Sequence, residues 1–65
     1  MPEQVRRMLF IGLFLDPEWR NQTAGCTVSQ CLADTDGLDR QQMMNTLDCD
    51  GEQMDRWIEA GRRFV

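Results

Sequence analysis

Eight carboxylates, Asp34, Asp36, Asp39, Asp48, Asp50, Glu52, Asp55 and Glu59, fall between positions 34 and 59, where only Arg40 and Arg56 oppose them, so that segment carries a charge of −6. Carboxylates at this density suit three kinds of chemistry: holding a hard cation, exchanging a proton as an acid–base pair, or presenting a negative surface to a basic partner. The calcium option is the most specific and fails on the residue types at two positions. Counted from Asp48, positions 1, 3, 5 and 12 of an EF-hand loop are Asp48, Asp50, Glu52 and Glu59, but Gln53 stands where the loop needs glycine and Asp55 where it needs an apolar residue. The acid–base option needs a closed apolar site to raise one carboxyl pKa, and nothing in the sequence points to one. The surface option remains.

The other reactive residue types narrow the chemistry further. The chain has no histidine and no lysine, its seven basic residues all being arginine, which removes Ser-His-Asp and Cys-His nucleophiles, His-ligated zinc and Schiff-base lysines. Cys26, Cys31 and Cys49 are odd in number and match neither a disulfide framework nor a zinc-finger spacing; they are expected to be reduced, partly buried thiols. No metal, no cofactor and no catalytic residue is expected. The chain is read as a non-enzymatic binding module.

At 65 residues and net charge −4, one small domain spanning residues 1–65 is all that fits. The run Met8–Leu15 is too short to span a bilayer and lacks a cleavage pattern, so neither an anchor nor a signal peptide is expected, and a cytoplasmic location is. The acidic balance is unfavourable for phosphate contacts, and direct nucleic-acid binding is not expected.

The turn signals predict four to five short helices in a compact all-α bundle. Pro2 at the first helical position opens a helix over about 2–15, and Asp16 caps a short helix that starts at Pro17 and carries Trp19, with Gly25 closing it. Thr27-Val28-Ser29-Gln30 has the form of a capping box. Asp39 caps a helix through Met43, Met44 and Leu47; Asp50, with Gln53 three residues on, caps a last helix for which Gly61 is the expected left-handed stop. In that last helix Met54, Trp57 and Ile58 share one arc, and Glu52, Asp55, Arg56 and Glu59 the opposite one. The first helix is apolar nearly all round in its second half. It is therefore central in its own bundle, or it presents Phe10 and Phe14 to another chain as a homodimer contact, since two rings left in water would forfeit ~1.5–3 kcal/mol each.

The stretch from Asp39 to Gly61, through Leu47 and the closing Trp57, Ile58 and Gly61, resembles the helix-turn-helix of the MerR and excisionase-like family. The resemblance implies a helix-turn-helix-like pair and, in the family, a second helix that enters the major groove. This chain departs from the family in charge: Glu52, Asp55 and Glu59 occupy the outward positions where the family places basic and hydroxyl side chains. The expected function is docking of the acidic face on a basic, nucleic-acid-binding surface of a protein partner, with Trp19, Phe10 or Phe14 as apolar anchor. Small acidic inhibitors of phages and mobile elements, which antagonise CRISPR complexes or transcription factors, are similar in size and charge. The alternative is a helix-turn-helix transcription regulator or excisionase that binds DNA directly.

Overall fold

Backbone capping sets the helix boundaries. In the computed structural model, which describes residues 1–22 and 25–65, five helices follow one another: α1 (Glu3–Leu15), α2 (Pro17–Gln22), α3 (Val28–Asp34), α4 (Arg40–Leu47) and α5 (Gly51–Arg62), with no strand among the described residues. Pro2 takes the extended N-cap conformation rather than the first helical position, so α1 begins one residue later than expected. Asp16 accepts from the Glu18 amide at 3.0 Å and starts α2. Gly25 takes a left-handed φ of 87°, whereas residues 23 and 24, across which α2 would close onto it, lie outside the described residues. Thr27 with Gln30, and Asp39 with Gln42, form reciprocal capping boxes on α3 and α4. Asp50 accepts from the Gln53 amide at 2.8 Å and caps α5. Each such cap stabilises the fold by about 1 kcal/mol.

Gly61 is not the stop its position suggests. The helix continues to Arg62 and the glycine keeps helical dihedrals, because it serves a crossing instead. A Cβ on Gly61 would lie 2.9 Å from the Gly12 amide nitrogen and overlap the Met8 carbonyl; a Cβ on Gly12 would lie 2.9 Å from the Trp57 Cα and overlap the Trp57 carbonyl. The two glycines thus let α1 and α5 touch backbone to backbone.

Helix α1 is the central element, packed mainly on α5 and also on α3 and α2. The core joins its Leu9, Phe10 and Leu13 to Leu32, Met43, Leu47, Met54 and Trp57. This corrects the reading of Phe10 as an anchor or dimer contact: its ring is 2% exposed, inside the bundle that encloses α1. Phe14 is half-buried against the same core. The Cα radius of gyration, 10.5 Å, is that of a close-packed chain of this length, about 11 Å. No helix among the described residues is long and apolar enough to cross a membrane.

One buried charge ties α1 to α3. Arg6, 5% exposed, donates to the Leu32 carbonyl and to Thr35 Oγ1 (3.1 Å), and approaches Asp36 at 3.5 Å. Thr35 Oγ1 itself donates to the Cys31 carbonyl at 2.6 Å. Carbonyls in the last turn of a helix lack intrahelical partners and carry the negative end of the dipole, so a guanidinium there closes α3.

Candidate acidic docking site

All eight expected carboxylates are exposed, but they do not form one uniform face. Arginines neutralise half of them: Arg40 meets Asp55 at 2.9 Å, Arg56 meets Glu52 at 2.8 Å, Arg62 meets Glu59 at 3.6 Å, and Arg6 reaches Asp36. Asp34, Asp39, Asp48 and Asp50 have no arginine partner among the described ion pairs. Asp39 and Asp50 nevertheless spend an oxygen on capping. Asp36 lines a separate hollow with Glu3, Arg6 and Arg7.

The carboxylates that gather without a described arginine do so elsewhere. Asp48 and Asp50, in the turn between α4 and α5, line a hollow of about 290 Å³ together with Asp16 and Glu18 from the corner between α1 and α2. Asp48 is held at the end of α4 in the left-handed conformation, φ 53°, a geometry that aspartate and asparagine tolerate better than other non-glycine residues. Two tryptophans form part of the lining: Trp19, half-buried, meets Trp57 edge to face, with ring centroids 5.6 Å apart and planes at 90°. Trp57, 4% exposed, donates its Nε1 hydrogen to Asp16 Oδ2 at 3.2 Å, so the Asp16 carboxylate is held by the same ring that packs in the core.

Trp19 is thus at the site, as its candidacy as an anchor requires, though partly covered rather than free. Asp16 and Glu18 were not among the expected site residues, because residues 1–20 sum to zero charge. Their signal was the Asp16-Pro17-Glu18 helix start, which fixes two acids at one corner without saying what that corner faces.

Burial and neighbouring charge both act on two of the thiols. Cys49, between Asp48 and Asp50, has its pKa raised above the ordinary value by burial first and then by the charges of Asp50 and Asp48, with Arg40 opposing. Cys31 is raised by burial, then by Cys26 and Asp34. Cys26, exposed rather than partly buried as expected, precedes the α3 cap, whereas Cys31, within α3, packs half-buried against the core. A raised thiol pKa leaves less thiolate, the reactive form, at neutral pH. Iodoacetamide labelling read by mass spectrometry should therefore modify Cys26 before Cys31 and Cys49 at pH 7, the lag closing as pH rises; equal rates at pH 7 would contradict the placement.

Among the described residues no three cysteine, aspartate or glutamate side chains converge as a metal site. The hollow has another capacity: carboxylates on an aromatic rim can receive a guanidinium or ammonium group, which gains charge-assisted hydrogen bonds and a cation–π contact of about 0.5–1 kcal/mol at such an exposed position. Compared with protein-family models, curated proteins and solved structures, the chain matches none of them, so it is these side chains that speak for its function.

Proposed function

We propose that this protein is a small non-enzymatic binding module whose acidic hollow captures arginine or lysine side chains on the basic surface of a protein partner. The observation that carries the reading is the gathering of Asp16, Glu18, Asp48 and Asp50 around the Trp19–Trp57 pair. Charge complementarity speeds encounter and selects the partner, while Trp19 supplies apolar contact at the centre. Basic protein surfaces of this kind commonly serve to hold nucleic acid. The module then acts as an inhibitor or regulator of nucleic-acid-binding machinery, in the manner of the acidic antagonists made by phages and mobile elements, and its place of action is the cytoplasm.

A second reading is favoured by one feature, the break of residues 48–50 between α4 and α5, whose length suits a helix-turn-helix. In that reading α5 enters a DNA groove. Glu52, Asp55 and Glu59 would then approach phosphates, and their arginine neighbours are already engaged with them.

The two readings separate by titration at low ionic strength, where the Debye length is ~30 Å at 0.01 M salt and nonspecific attraction is greatest. A labelled octa-arginine peptide should bind saturably and weaken as salt rises, whereas a short duplex DNA should show no change in anisotropy. A salt-sensitive DNA complex would sink the first reading in favour of the second.

A further inference from the structure

Cys26 and Cys31 flank the start of α3. Thr27 is the N-cap, so Cys26 stands immediately before it and Cys31 is the fourth residue of the helix, its amide donating to the Thr27 carbonyl at 3.1 Å. The capping box closes this turn from both sides: the Thr27 amide donates to Gln30 Oε1 at 2.9 Å and the Gln30 amide to Thr27 Oγ1 at 3.1 Å. Side chains at these two flanking positions are the ones that a closed cap commonly turns toward each other, as an apolar pair. Here both are thiols. The electrostatics agree with that placement: after burial, the charge of Cys26 is the next cause that raises the Cys31 pKa, ahead of Asp34 in the same helix. The charges acting on Cys49 are instead those of Asp50, Asp48 and Arg40.

We propose that Cys26 and Cys31 form a reversible oxidation site, closed by a hydroperoxide as an intrachain disulfide across the α3 cap. Cys26, exposed, is the thiol that an oxidant reaches first. Its thiolate attacks one peroxide oxygen: the S–O bond forms, the O–O bond breaks, and the displaced hydroxide takes the thiol proton and leaves as water. The Cys31 thiolate then attacks the sulfenic sulfur, forming S–S and breaking S–O, and its proton departs with the second hydroxide as water. The two thiols lose two electrons and hydrogen peroxide takes them up. Burial withholds thiolate from Cys31, which slows its attack, and the held geometry of the capped turn offsets that loss. Neither residue lines the acidic hollow, so the site does not depend on the arginine-binding role.

Hydrogen peroxide added to the reduced full chain, followed by iodoacetamide, trypsin and mass spectrometry, tests it. Cys26 and Cys31 share the tryptic peptide 21–40, and Cys49 lies on 41–56. Peptide 21–40 should lose two hydrogens and escape alkylation while the Cys49 peptide is alkylated, and dithiothreitol should reverse the change. Cys31→Ser should instead accumulate a Cys26 sulfenic acid that dimedone captures, and Cys49→Ser should close the bridge as the parent does. Unfolding in urea should slow closure at least about threefold, since a flexible chain no longer holds the two sulfurs together. A bridge to Cys49, chains joined through Cys26, sulfinic acid at Cys26 without a bridge, or closure as fast in urea as in the native chain would overturn it.

Discussion

Replacing Gly12 or Gly61 by alanine is expected to abolish cooperative folding. At either position the added methyl meets backbone, the Trp57 carbonyl or the Met8 carbonyl, which cannot swing aside as a side chain would. The helices must then separate along the most extensive packing surface in the molecule, opening contacts among Leu9, Leu13, Met54 and Trp57. Overpacking in cores costs about 1–3 kcal/mol where neighbours can adjust and more where they cannot. A chain of this size has only ~3–10 kcal/mol in all, at ~0.05–0.15 kcal/mol per residue. Gly51→Ala is the control. Its Cβ would meet the end of the Arg40 side chain at 3.2 Å, which can move, and alanine is the better helix former of the two. Urea denaturation followed by circular dichroism should show no native baseline for the first two variants and an unchanged or higher midpoint for the third. A parental midpoint for Gly12→Ala or Gly61→Ala would mean that α1 and α5 do not cross at these glycines.

Arg6→Ala is expected to cost about 3 kcal/mol, a loss large enough to leave much of the chain unfolded. The side chain is buried, and its removal strands the Leu32 carbonyl and the Thr35 hydroxyl while opening the space its stem fills. Its partner Asp36 is 85% exposed on its side chain and 3.5 Å away, so that ion pair contributes little and Asp36→Asn should fall within about 0.5 kcal/mol of the parent. Arg6 Nε has no hydrogen-bond partner, so the arginine is not itself fully satisfied, and Arg6→Met, which restores volume, should recover part of the loss. The urea midpoints of the three variants check the ranking. An Asp36→Asn loss equal to that of Arg6→Ala would assign the stabilisation to the ion pair instead of to the helix-end hydrogen bonds.

Local chemistry was legible in the sequence where it acts within a few residues. Thr27, Asp39 and Asp50 cap the helices they were expected to cap, because a capping side chain needs only its own next turn. The inward arc of Met54, Trp57 and Ile58 and the outward acids of α5 likewise follow from a 3.6-residue period. Features that depend on distant partners were not legible. Gly61 has the position of a helix stop, and only the approach of Gly12 from α1 shows its use. Arg6 looks like a solvated charge until α3 presents its carbonyls. Phe10 was ambiguous for the same reason, since burial of both sides of α1 requires three other helices around it. The acidic segment was visible as a sum, but the ion pairs with Arg40, Arg56 and Arg62 and the arrival of Asp16 and Glu18 at the Asp48 turn redistribute that charge in space.

Tryptophan emission is the most direct test of the acidic hollow, because Trp19 and Trp57 are the only tryptophans and both line it. Octa-arginine titrated into the parent should change the emission saturably. Glu18→Gln/Asp48→Asn removes two charges while leaving the Asp16 and Asp50 caps intact and placing asparagine where the backbone is left-handed. That variant should lose at least about tenfold in affinity, equivalent to 1.4 kcal/mol, whereas Glu52→Gln/Glu59→Gln on the outer face of α5 should change it by less than about threefold, as expected for exposed pairs. Undiminished binding by Glu18→Gln/Asp48→Asn, or a larger loss from the α5 variant, would contradict the assignment of the docking site to the tryptophan-lined hollow.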